Sequence, residues 1–90
     1  SGPAVLPVAI RMVWQVASKV KIPVIGMGGI ATSQDAIEMM LAGASAIQIG
    51  TANFTDAFTP LKIIDGLNAY LDANLISRAG EIVGKVECWQ

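Results

Sequence analysis

The sequence predicts an α/β fold, the C-terminal part of a (β/α)8 TIM barrel comprising its last two strands with flanking helices. Three observations predict it. Two short, mostly apolar runs, residues 24–27 and 46–49, lie on either side of one helix-length amphipathic stretch. Glycine follows each run, Gly28-Gly29 after the first and Gly50 after the second. The 90 residues are 53% hydrophobic and only 14% charged, greasier than an average soluble domain. A small domain has a high ratio of surface to volume and needs more charge rather than less, so the composition fits a piece of a larger core.

Residues 1–6 read as loop, because Gly2 and Pro3 break regular structure. Pro7 suits a first helical turn, where its missing N–H costs nothing. Ile10, Val13, Trp14, Ala17 and Val20 then recur at helical spacing, with Arg11, Gln15, Ser18 and Lys19 between them. This helix is expected to end near residues 19–21, where its lysines complement the C-terminal dipole. Pro23 stops it.

Val24, Ile25, Gly26 and Met27 follow without polar alternation, which predicts a strand buried on both faces. Thr32 and Asp35 have the spacing of a capping box. Ala36, Ile37, Met40 and Leu41 form the apolar stripe of the second helix, and Gly43 supplies its left-handed end. Residues 46–49 are the second strand. Strand, helix and strand with short loops make a βαβ unit, so the strands should be parallel and the crossover right-handed. Residues 53–58 are expected to form a short helical turn and residues 60–71 a third helix carrying Leu61, Ile64, Leu67, Ala69 and Leu71. Asn74 breaks that helix, with Leu75 where a polar or glycine turn residue is expected, and residues 77–83 suggest a last short helix. Two parallel strands with open edges do not stand alone, which again points to a barrel of about 250 residues.

Several function classes are disfavoured. A net charge of −1 gives no basic footprint for nucleic acid. One cysteine cannot form an internal disulfide, and without histidine the usual zinc sets cannot be assembled, so no metal site is expected. No run approaches the roughly 20 apolar residues of a membrane span, and the start lacks a basic signal-peptide region. A reduced, cytoplasmic setting is expected.

The informative residues sit at the two strand ends. In parallel α/β folds ligands lie there, and in barrels the last two loops commonly build a phosphate site. Gly28, Gly29 and Gly50 let backbone N–H groups approach an anion closely, a following helix N-terminus adds positive partial charge, and the Thr51 hydroxyl can donate. One Gly-Gly turn alone is more often just a turn; two on neighbouring strands favour phosphate. Cys88 lies outside the strand ends, with nothing nearby to lower its pKa, and reads as a surface or packing thiol. Neither paired carboxylates nor a nucleophile with its base is recognisable, so no catalytic residue is assigned.

Ser1-Gly2-Pro3-Ala4, the block at 22–30 containing Gly26-Met27-Gly28-Gly29, and the block at 42–54 ending Gly50-Thr51-Ala52-Asn53-Phe54 together resemble the C-terminal part of dihydroorotate dehydrogenase. The likeness continues through residues 63–67 to 81–84, and the order and spacing of the blocks make it specific. The Gly-Met-Gly-Gly block and the Thr-Ala-Asn-Phe ending look more like the class 1B, NAD-linked catalytic subunit than the fumarate-linked class 1A.

The resemblance implies that residues 1–90 are the C-terminal fragment of a single FMN-binding barrel domain. It implies an enzyme that oxidises dihydroorotate to orotate in pyrimidine biosynthesis. It implies that Gly28, Gly29, Gly50 and Thr51 hold the FMN phosphate and that Gly2 also touches FMN. It implies a partner subunit carrying FAD and a [2Fe–2S] cluster that passes electrons to NAD⁺, in a homo-oligomer or heterotetramer. The family's base, a cysteine on an earlier loop, has no counterpart here, so the isolated segment is expected to be inactive. Gly28→Ala and Gly50→Val are expected to lose FMN with little change in sheet content. The alternatives are a segment of another phosphate-binding barrel enzyme and a self-associating, non-catalytic module.

Overall fold

The structure, a computed structural model, describes residues 5–49 and 57–85. Its elements run α1 (Leu6–Ala17), β1 (Ile25–Met27), α2 (Ser33–Ala42), β2 (Ala46–Gln48), α3 (Thr59–Ala73) and a closing 3-10 turn (Ala79–Ile82). β1 and β2 pair in parallel, Ile25 opposite Ala46, Gly26 opposite Ile47 and Met27 opposite Gln48. The strand–helix–strand unit and its parallel pairing are as the sequence predicts. The described residues form a two-stranded sheet with helices packed beside it, and among them no barrel closes.

Local chemistry explains the boundaries. Pro7 and Pro60 sit in the first turns of α1 and α3. α1 ends at Ala17, so Lys19 and Lys21 lie beyond its last turn instead of capping it. α2 begins with a complete capping box: Asp35 N–H donates to the Thr32 hydroxyl at 3.2 Å, and Thr32 N–H donates to the Asp35 carboxylate at 3.1 Å. Gly43 ends α2 at φ 132°. α3 closes in a Schellman arrangement, Leu75 N–H donating to the Asp72 carbonyl and Ile76 N–H to that of Leu71. Leu75 takes the left-handed position of that motif, at φ 57° and 95% exposed.

α2 is the centre of the packing. It lies against β2, α1 and α3, while α1 also packs on β1. Met39 is therefore fully buried, although the apolar stripe read from the sequence passes it by. Its side chain occupies the space a Cβ on Gly26 would need. Ile10, Val13, Ile30, Ala36, Ala42, Ala44 and Ile63 complete this cluster. A second cluster joins Ile37 and Met40 to Leu71 and Ile82, and Gly84 N–H donates to the Met40 carbonyl at 3.0 Å, tying the last described turn to α2. Two close approaches depend on small residues: Gly43 lies under the Ala17 side chain, and Gly66 of α3 under Ser33 of α2.

The strands depart from expectation. β1 alternates, with Gly26 buried while Ile25 and Met27 are 59% and 53% exposed. Helices cover one face only, so the apolar run is buried on one side here instead of both. Leu61 and Ile64 of α3, expected in its apolar stripe, are exposed, and burial falls on Ile63 and Leu71. Val20 is also exposed, because α1 has already ended. It continues a row with Val8, Met12 and Val16, spaced by four residues along the outer side of α1.

Candidate functional site

The C-terminal end of β1 runs directly into Gly28 and Gly29, at φ 111° and 73°. Both angles are ones that L side chains rarely adopt, which accounts for the glycine pair. A Cβ placed on Gly28 lies 3.1 Å from the Ala9 Cβ and 3.5 Å from a Val5 methyl. The first turn of α1 thus rests on the Gly28 backbone, and α1 begins beside the rim at which β1 ends. Among the described residues the Gly29 N–H has no hydrogen-bond acceptor.

The start of α2 is differently arranged. The Asp35 carboxylate accepts from Ala31 N–H at 3.0 Å as well as from Thr32 N–H. A helix N-terminus favours negative charge, and here the helix's own carboxylate supplies it. The capping box thus takes up the Asp35 N–H of the first turn of α2, together with the Ala31 and Thr32 N–H groups just before it. Asp35 itself acts as the helix-start residue the sequence suggests.

β2 ends one register step across from the same turn, at Gln48 opposite Met27. Gly50 and Thr51, which follow it, lie outside the described residues, as do Gly2 and Cys88. Of the candidate phosphate residues the structure thus places Gly28 and Gly29. Gln48 belongs to the same strand end and was passed over in the sequence because it reads as part of an apolar strand. The signal for it was its isolation: it is the sole polar side chain in β1 and β2.

Residues 1–71 match the sequence model of the family Dihydroorotate dehydrogenase. The chain belongs to the dihydroorotate dehydrogenase family. Curated relatives include the "Dihydroorotate dehydrogenase B (NAD(+)), catalytic subunit" of Bacteroides fragilis, 60% identical over 97% of this chain and 29% of that protein. The subunits of the same name from Bacteroides thetaiotaomicron and Geotalea uraniireducens are 59% and 57% identical over 97% and 93% of this chain, and 29% and 28% of their own length. The chain thus spans under a third of the curated relatives it matches. The likeness to the NAD-linked type, read from the Gly-Met-Gly-Gly and Thr-Ala-Asn-Phe blocks, is borne out by these matches.

A solved structure, DHODH in complex with ferulenol from Eimeria tenella, superposes with a TM-score of 0.86 at 24% identity, over 94% of this chain and 23% of that one. At that identity the likeness concerns the fold. Among the described residues no helix is long and apolar enough to cross a membrane.

Proposed function

We propose that this segment forms the last two strands of a (β/α)8 barrel in the catalytic subunit of an NAD-linked dihydroorotate dehydrogenase, and that its strand-end loops hold the FMN phosphate. Residues 1–90 are then part of one barrel domain. The observation that carries the reading is the Gly28-Gly29 turn. Two positive-φ glycines close a parallel strand inside the family-matched region, beside a helix start, and among the described residues the Gly29 N–H has no acceptor.

The donor set suits a phosphate. Backbone N–H groups at Gly28 and Gly29 carry no side chain between them and an anion, and Gly50 N–H with the Thr51 N–H and hydroxyl would complete the grip from the neighbouring strand. Gly2, just ahead of α1 in the sequence, would also contact the FMN. Bound FMN supplies the hydride acceptor for oxidation of dihydroorotate to orotate. The residues here bind and orient it, and the proton-accepting base lies elsewhere in the subunit. A cytoplasmic assembly with an electron-transfer subunit carrying FAD and a [2Fe–2S] cluster, and NAD⁺ as acceptor, completes the reading. Its support is the run of NAD-linked catalytic subunits among the relatives.

The test is a graft. The stretch of 87 residues over which this chain aligns with the Bacteroides fragilis subunit replaces the corresponding segment there. The purified graft should retain FMN and oxidise dihydroorotate. Gly50→Val in the graft should lower FMN affinity at least about tenfold, as expected for a lost charge-assisted hydrogen bond. A folded graft without flavin, or a Gly50→Val variant with unaltered occupancy, refutes the assignment.

A further inference from the structure

Beyond the backbone grip, one side chain on this segment is placed to orient the flavin. Gly26 is buried beneath Met39 of α2, and Ile47 packs against both apolar clusters. Strand alternation therefore sets Ile25, Met27, Ala46 and Gln48 on the opposite face, which the helices leave uncovered. Three of these four are apolar. The fourth carries a carboxamide at the C-terminal rung, opposite Met27 and one residue short of level with Gly28. Among the described residues that carboxamide has no hydrogen-bond partner.

In the barrel proposed above, on which this inference rests, the uncovered face is the interior. An amide buried there without partners is costly, so it needs a group to bond. The rim of a barrel is where interior side chains meet ligand. We infer that Gln48 is a flavin-positioning residue whose carboxamide bonds the sugar-alcohol chain of FMN. The placement favours that part of the cofactor. Gln48 sits one strand step, about 3.3 Å, inward of the level at which glycine backbone would hold the phosphate. A carboxamide both donates and accepts, as hydroxyl groups do, while its neutral charge gives it no particular advantage toward a dianion.

The graft described above supports the experiment. Gln48→Met keeps length and shape and removes the amide. Affinities for FMN and for riboflavin, which lacks the phosphate, are read by flavin fluorescence, with thermal melting of the flavin-free protein alongside. Both affinities should fall by the same factor, about tenfold, the worth of a well-made hydrogen bond. Melting of the flavin-free protein should be unchanged. Gln48→Asn, which keeps the amide, should recover part of both affinities.

Loss confined to FMN would assign Gln48 to the phosphate and overturn the inference, and so would unchanged affinities for both flavins. Lowered melting with unchanged affinity, in either variant, would make the residue structural. A folded parent graft that binds neither flavin refutes the underlying function, a result distinct from any effect of the Gln48 variants.

Discussion

Gly28→Ala is the substitution whose sign is most informative. At a position where the backbone suits an L residue, Gly→Ala stabilises by about 0.4–1 kcal/mol through the unfolded chain. Gly28 offers the opposite conditions. Its φ of 111° lies outside the regions open to L residues, and holding alanine there costs about 1–3 kcal/mol. The new methyl also meets the Ala9 Cβ at 3.1 Å, closer than the roughly 3.5–4.0 Å of a comfortable carbon contact. α1 must move by a few tenths of an ångström, an overpacking cost of about 1–2 kcal/mol.

The sum is a destabilisation of about 2–5 kcal/mol, read by urea unfolding of the graft. Ala9→Gly removes the crowded partner and should restore only the packing part, so the double-mutant cycle should show a favourable coupling of about 1 kcal/mol. A stabilising Gly28→Ala, or strict additivity with Ala9→Gly, would refute the reasoning. The expectation drawn from sequence, flavin loss with the sheet undisturbed, is thereby revised at this residue. The added methyl points at a helix, so flavin loss should accompany loss of stability, and Gly50→Val is the more selective test.

Three further outcomes follow from the packing. Leu75→Gly should stabilise by about 0.5–1 kcal/mol, since it relieves left-handed strain at a side chain that is 95% exposed, whereas Leu75→Ala should not; calorimetry of the two variants decides. Asp35→Ala removes both acceptor bonds at the start of α2 and should cost about 1–2 kcal/mol, with faster amide exchange at Ala31 and Thr32. Gly66→Ala drives a methyl into Ser33, and the resulting loss of about 1–3 kcal/mol should be lessened by Ser33→Gly; equal losses with and without that second change would contradict the contact.

How much of this was legible in the sequence depends on whether the cause is local. The Thr32–Asp35 box, the first-turn prolines and the glycine at 43 are chemistry of adjacent residues, and all stand where they were expected. The parallel pair followed from element order and short loops. Met39 was missed because its burial comes from tertiary packing, against Gly26 of β1 among others, which no single-helix periodicity encodes. Ile25 and Met27 are apolar for a face that the described elements leave open, so composition recorded a need for cover that this segment does not meet. At the candidate site the glycine pair was readable from type and position. The further bond from Ala31 N–H to the Asp35 carboxylate required coordinates, because the capping-box spacing specifies only the Thr32–Asp35 exchange.

The contacts at Gly43 and Gly66 carry a consequence for tolerance to change. Where one element crosses another over a missing side chain, the facing Ala17 and Ser33 side chains already fill the space that an added carbon would need. A saturation library of this segment should therefore show an inverted profile: the bulky row at Val8, Met12 and Val16 accepts nearly anything, while the smallest residues accept almost nothing.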